Sequence, residues 1–251
     1  MNLGKYLRFK QFYQHDKNHT VIIPMDHGMT RGPIQGLDNM QELLLELSNH
    51  NVDGLILHKG MIGHYADILA KIEIPLIMHL SARTILSSSN KEVLVGSVME
   101  ALSYGCSAVS VHINFGEKEE GEMLRDVAHV SGECYRLGMP LLIMGYSETY
   151  NVSIAKHLAR ISTELGADWV KLAYTEEGGE FREVTETCKI PVLISGGEKV
   201  ENLTEFETIL QKALAAKIGG ISIGRNIFQS ENVSETISRI LELVRNDRYR
   251  K

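Results

Sequence analysis

The run Trp169-Val170-Lys171-Leu172 sets a lysine inside an apolar stretch. Desolvating an ammonium is costly, so a lysine in such a setting either has a partner or is kept for its chemistry. Desolvation favours the neutral amine, and a neutral amine attacks a ketone to give an imine. Two readings of Lys171 stand at this point: a Schiff-base nucleophile, or one half of a structural ion pair with Asp26 or Glu176. Perturbed ionisable groups cluster at functional sites, which favours the first. Imine chemistry also needs a proton shuttle, and Tyr146 and Asp26 offer a phenol and a carboxylate. Taken singly, Tyr146 is a rim aromatic and Asp26 a helix cap or salt-bridge partner.

A second group of residues suits an anion. Ser195-Gly196-Gly197 and Gly224-Arg225 follow two late apolar runs, where small residues expose backbone N–H groups that cradle a phosphate. Arg225 adds a charge; the plainer alternative is glycines making tight turns. Lys59, before Gly60 and in a more polar setting, ranks below Lys171 as a nucleophile and is a candidate anion contact. His27, His58, His79 and His112 end or follow the first four apolar runs. They invite a metal-site reading, but no carboxylate or cysteine ligands stand at metal-site spacing beside them, so hydrogen-bonded cavity histidines are expected and no metal or cofactor.

These side chains need a frame that gathers them. Eight Val-, Ile- and Leu-rich runs recur at Val21–Met25, Gly54–His58, Pro75–His79, Ala108–His112, Pro140–Met144, Asp168–Leu172, Pro191–Ile194 and Gly219–Ile223. The spacing suits βα units of about 30 residues. Near-continuous apolar strands are expected where both faces of a parallel sheet are covered. Between them lie amphipathic stretches: Asp38–His50 carries Met40, Leu43, Leu44 and Leu47, and Asn151–Leu165 carries Ile154, Leu158, Ile161 and Leu165. Gly105, Gly138 and Gly166 suit helix ends before the next strand.

Eight strands without a GxGxxG after the first predict a single-domain (β/α)8 TIM barrel over residues 1–251, with an extra N-terminal helix in the first 16 capping the barrel bottom or packing on a neighbour. In such barrels the chemistry lies at the C-terminal strand ends, and every candidate above falls there. Arg83 after the third strand and Glu148 after the fifth join the rim.

Composition narrows the class. Net charge is −6 with no basic block, which argues against nucleic acid as a partner. An anionic substrate must then be held by local donors against a mildly repulsive field. Three cysteines without metal-ligand spacing favour reduced thiols. No apolar run approaches the roughly 20 residues of a membrane span, and the first residues lack a signal-peptide core, so a soluble cytoplasmic protein is expected.

The motifs together resemble a known family. Met25-Asp26-His27-Gly28 with Gly32-Pro33 and Gly36-Leu37, Leu57-His58-Lys59-Gly60, Val111-His112-Ile113-Asn114, Ala167-Asp168-Trp169-Val170-Lys171, Ser195-Gly196-Gly197 and Gly224-Arg225-Asn226-Ile227-Phe228-Gln229 resemble the archaeal-type class I aldolases. The match runs in order from about Leu3 to Gln229. The chain looks nearest to the 2-amino-3,7-dideoxy-D-threo-hept-6-ulosonate synthases of that group, which also holds fructose-bisphosphate aldolases and a thiolase of phosphorylated autoinducer-2. The signs are Asn2-Leu3-Gly4-Lys5, Met78-His79-Leu80-Ser81 and Phe181-Arg182-Glu183-Val184.

The resemblance implies a barrel with Lys171 as Schiff-base lysine, Tyr146 as acid/base and Asp26 assisting. It also implies backbone phosphate binding at Gly196, Gly197 and Gly224 with Arg225 nearby, and a homo-oligomer of five or ten subunits. The implied partners are a phosphorylated ketose and a small aldehyde. Two departures fall at the acceptor side. The family's Tyr-Pro-Arg-Gly is here Tyr146-Ser147-Glu148-Thr149, and its Ser-Gly-Gly-Thr is Ser81-Ala82-Arg83-Thr84; Leu172 also replaces a threonine common after the lysine. The expected reaction joins a dihydroxyacetone-phosphate-type donor to aspartate semialdehyde, with Arg83 available for its carboxylate. The alternatives are fructose-1,6-bisphosphate cleavage, which the missing arginine disfavours, thiolase-like acyl transfer to coenzyme A, and a non-catalytic phosphosugar-binding barrel.

Overall fold

In the computed structural model, which describes residues 2–246, ten strands form. They are β1 (Thr20–Pro24), β2 (Gly54–Leu57), β3 (Leu76–His79), β4 (Ser81–Ala82), β5 (Val93–Leu94), β6 (Ala108–Phe115), β7 (Leu141–Ser147), β8 (Trp169–Leu172), β9 (Val192–Ser195) and β10 (Gly220–Ser222). All but β4 and β5 pair in parallel and close into a barrel in the order β1-β10-β9-β8-β7-β6-β3-β2. The expected (β/α)8 barrel is therefore the architecture, and each of the eight expected strands overlaps an observed one. Of the expected span 1–251, residue 1 and residues 247–251 lie outside the described residues.

Two concentric cores hold the barrel. Side chains facing out of the strands meet the helices; those facing in form a smaller cluster of Ile22, Ile56, Ile77, Ala108, Leu142, Met144, Trp169 and Leu193, plugged from below by Phe12. Because strand side chains alternate, a residue two places beyond one of these points to the same interior. Lys171 stands two beyond Trp169, His58 two beyond Ile56, His79 two beyond Ile77 and Tyr146 two beyond Met144. The pattern that fills the barrel with hydrocarbon thus lifts polar groups onto its upper layer.

The N-terminal helix (Leu3–Gln11) caps the lower end, with Asn2 accepting from Lys5 N–H. Phe9 stacks on Trp169 at 4.3 Å, Phe12 meets it edge-on, and Trp169 Nε1 donates to Tyr13 Oη at 3.0 Å. Fully burying Phe12 contributes about 1.5–3 kcal/mol. Lys5 pairs with the buried Asp168 at 2.7 Å, which also accepts from Leu141 N–H.

The helix Met40–Ser48 buries Met40, Leu43, Leu44 and Leu47 as the periodicity requires. The helix Val152–Glu164 is rotated from expectation. It turns Val152, Ala155, Leu158, Ala159 and Ser162 inward, whereas Ile154, Ile161 and Leu165 are only partly buried. Small side chains let the helix lie close to the sheet, and the bulkier ones flank the seam. Gly138 ends the helix Glu120–Leu137 at φ 64°, a left-handed conformation that glycine adopts without strain.

One element has no signature in the sequence. After β3 the chain forms the antiparallel β4–β5 ladder, with residues 83–92 looping between. Two residues per strand are too few for a period to register, and the intervening Ser-rich stretch reads as plain loop. All three cysteines are free; burial pushes the thiols of Cys106 and Cys134 up to about 12, leaving them unreactive. No helix among the described residues is long and apolar enough to cross a membrane.

Candidate active site

Lys171 is 6% exposed and faces the barrel interior. Its Cα is level with Met144 of β7 and Leu193 of β9, and its amine points to Met144 Sδ at 4.0 Å. Among the described residues it makes no ion pair. Of the two partners weighed from sequence, Glu176 pairs with Lys212 at 2.7 Å, and Asp26 is drawn to histidines. The structural salt bridge is therefore not what the chain builds. Lys171 is a buried, unpaired amine, the setting a nucleophilic lysine requires.

Asp26 follows β1 at the start of the short helix His27–Arg31, yet its side chain caps nothing. Its oxygens instead lie 3.7 Å from His27 Nδ1 and 3.7 Å from His79 Nε2. Burial alone would raise the Asp26 carboxyl, but the electrostatic pull of His79, His27, Lys171 and His58 overcomes this and holds it well below the ordinary carboxylate range. The histidines move the other way. Burial depresses His79 to about 3 and His27 and His112 to about 4, and lowers His58 as well. His79 Nδ1 meets Ser110 Oγ at 2.8 Å, and the His58 and His79 rings meet edge-on. His79 and His112 are hydrogen-bonded cavity histidines as expected, whereas Nδ1 of His27 and of His58 is buried without a hydrogen-bond partner among the described residues. Among the described residues no three His, Cys, Asp or Glu side chains converge as metal ligands would.

Tyr146, on β7 beside Lys171, stacks on His112 with ring centroids 4.5 Å apart. His112 bonds Asn114 through Nε2 at 2.9 Å, and its backbone N–H donates to Ser81 Oγ at 2.8 Å. Lys171, Tyr146, Asp26, His27, His58, His79 and His112 therefore share one mouth. Lys59 turns its amine to Glu100 at 2.7 Å and is largely solvated, and Glu148 lies exposed beyond β7. A cavity of about 650 Å³ opens between the loops after β1 and β2. Met25, Met29, Ile34, Leu37, Met61 and Val95 line it, and Asp26, His58 and His79 close one end.

The glycine loops after β9 and β10 meet at the rim. The backbone N–H groups of Gly196, Gly197 and Gly224 donate to no group among the described residues. Gly224 must be glycine because a Cβ there would stand 2.5 Å from Pro24 O. Arg225 pairs with Glu198, which also takes Arg31 at 2.7 Å. Asn226, unassigned from sequence although it stands in the Gly-Arg-Asn motif, joins the two loops. Its Oδ1 accepts from Val200 N–H at 2.8 Å, and its Nδ2 donates to Gly196 O at 2.7 Å and Glu198 O at 3.2 Å. At 4% exposed, those bonds have no water to replace them. Asn226→Leu therefore removes the partner of three part-buried backbone groups. It is expected to lower stability by about 2–3 kcal/mol and to weaken inorganic phosphate binding at least tenfold, read by thermal melts and calorimetric titration.

Comparison with known proteins decides the family. The model of the DeoC/LacD family aldolases matches residues 20–230. The chain belongs to that family. It is an enzyme of the class I aldolase type, as the resemblance implied. It is 38% identical over 234 residues to 2-amino-3,7-dideoxy-D-threo-hept-6-ulosonate synthase 1 of Archaeoglobus fulgidus, covering 92% of this chain and 86% of that protein. It is 33% identical over 250 residues to 2-amino-4,5-dihydroxy-6-oxo-7-(phosphonooxy)heptanoate synthase of Streptomyces griseus, covering 97% and 91%. Among solved structures, an archaeal fructose-1,6-bisphosphate aldolase with its catalytic lysine covalently bound to the carbinolamine intermediate superposes with a TM-score of 0.85. It is 28% identical and covers 96% of this chain and 99% of that one.

Proposed function

We propose that this aldolase joins a dihydroxyacetone-phosphate-type donor to an aldehyde through a Schiff base on Lys171, with aspartate semialdehyde as the acceptor. The observation that carries the reading is the buried Lys171 amine, without an ion pair among the described residues and within electrostatic reach of Asp26. The amine attacks the donor ketone, and the carbinolamine loses water to leave a protonated imine. That cation draws the electrons of the adjacent C–H bond, the proton departs to a base, and the resulting enamine attacks the aldehyde carbon. Hydrolysis of the imine returns the amine. Tyr146, one layer above Lys171 on the neighbouring strand, and the ionised Asp26 move the protons in this scheme.

The donor phosphate rests on the unengaged N–H groups of Gly196, Gly197 and Gly224, and it competes with Glu198 for Arg225. Two synthases of phosphorylated seven-carbon amino acids among the relatives support the acceptor assignment, as does the lack of a second cationic clamp for a bisphosphate after Tyr146. Assembly into a pentamer or decamer belongs to the same proposal.

Borohydride reduction in the presence of dihydroxyacetone phosphate tests the core of it. Intact mass and peptide mapping are expected to show a donor-sized adduct on the peptide bearing Lys171. Tight binding of ketose phosphates with no adduct would reassign the chain as a phosphosugar-binding barrel.

A further inference from the structure

The β4–β5 insertion brings a carboxylate to the mouth that the proposed chemistry does not use. Glu92 is 4% exposed, and its Oε1 lies 3.5 Å from Arg83 Nε and 3.9 Å from His112 Nδ1. Arg83 itself is partly open to solvent. Its contact with Glu92 is made through Nε, and among the described residues its two terminal nitrogens make no hydrogen bond. A guanidinium held by its inner nitrogen keeps its outer edge for a second, bidentate partner, and a carboxylate fits that edge.

Ring order says where that edge stands. In the eight-strand barrel, β3 is four places from β9 by either route, and β6 is four places from β10. The glycine loops follow β9 and β10; Arg83 follows β3, and His112 is on β6. The two sites therefore face each other across the mouth, with Lys171 and Tyr146 on β8 and β7 along the rim between them. A chain-like product held by a phosphate at one end is brought to Arg83 at the other.

We propose that Glu92 is a positioning residue that holds Arg83 as a clamp for a carboxylate on the acceptor aldehyde, so that the insertion sets specificity for carboxylated acceptors. This rests on the aldolase reading above and adds the residue that orients the clamp. The groups facing Glu92 are Arg83 from its own hairpin, His112 from β6 and, at longer range, Asp26 after β1. Burial, opposed by Arg83, raises the Glu92 carboxyl to about 7.

The test uses dihydroxyacetone phosphate as donor and compares kcat/KM for two carboxylated aldehydes, aspartate semialdehyde and succinate semialdehyde, with that for uncharged propanal. Arg83→Met is expected to cut the carboxylated-to-neutral ratio roughly 10- to 100-fold, mainly through KM. Glu92→Ala should shift the ratio the same way by less, and Glu92→Gln, which keeps an oxygen opposite Nε, should restore part of it. If Arg83→Met is insoluble, Arg83→Lys keeps the charge, loses the fork and must still lower the ratio. A ratio unchanged in these variants, or rates that fall equally for all three aldehydes, overturns the proposal. Borohydride trapping on the same proteins separates the failures. An adduct with no change of ratio removes the clamp alone, and no adduct in the parent protein removes the aldolase reading and the clamp with it.

Discussion

Lys171→Met is expected to abolish turnover, lowering kcat by about 10⁴-fold or more, while the protein still folds. Nothing else in the mouth can replace the amine. Lys59, although it lines the cavity, is tied to Glu100 at 2.7 Å, and burial holds the histidines neutral. Methionine fills nearly the same volume against Met144, so the fold is expected to persist. Donor binding should persist, because the phosphate loops after β9 and β10 are untouched. Thermal melts, a ketose phosphate titration and borohydride trapping check the three parts separately. Residual turnover within tenfold of the parent would remove Lys171 from the mechanism.

The second large effect is an acid-side loss of stability well above the usual carboxylate range. His79 at about 3 and His27 and His112 at about 4 stand below the ordinary histidine value of 6.5 in the folded chain. Between those values the unfolded chain binds protons that the folded chain refuses, so stability falls as pH drops below about 6.5. Glu92 acts in the opposite sense. Its carboxyl, raised to about 7, keeps a proton in the folded state that the unfolded state gives up, so it offsets roughly one histidine between about pH 4.5 and 7. Two histidine equivalents remain, worth roughly 2–3 kcal/mol per pH unit. From pH 7.5 to 5 the loss should reach several kcal/mol, and Tm should drop by 10 °C or so. Asp26, held low, adds its loss only below about pH 4. Scanning calorimetry across pH 4.5–8 measures the slope, and His79→Gln should flatten it. A Tm constant from pH 7.5 to 5 would show that these rings are not held neutral by burial.

Both results depend on how the barrel packs its interior. The same alternation places Ile56, Ile77, Met144 and Trp169 in the plug and His58, His79, Tyr146 and Lys171 two residues further along the strands. Hydrocarbon below dries the polar layer above. A dry layer holds the histidines neutral around the lysine, which is a stability cost accepted at a functional site.

Much of this was legible in the residues before any coordinates. The eight runs of Val, Ile and Leu determined the strands, because a strand buried on both faces must be apolar throughout. The lysine inside one run, the glycines after two others and the histidines at four ends marked the mouth, because such residues in such positions need a reason. What the chain alone did not determine were relations between residues far apart in sequence. Asn226 looks like any loop asparagine until its amide is seen joining the loops after β9 and β10. Glu92 sits among serines and charges with no period, and only the β4–β5 ladder turns it inward against Arg83 and His112. Whether Lys171 had an ion-pair partner was likewise a tertiary matter. Periodicity reports which side of an element meets hydrocarbon, since that depends on near neighbours in the chain. Who faces whom across the barrel depends on ring order and closure, and those exist only once all eight strands have paired.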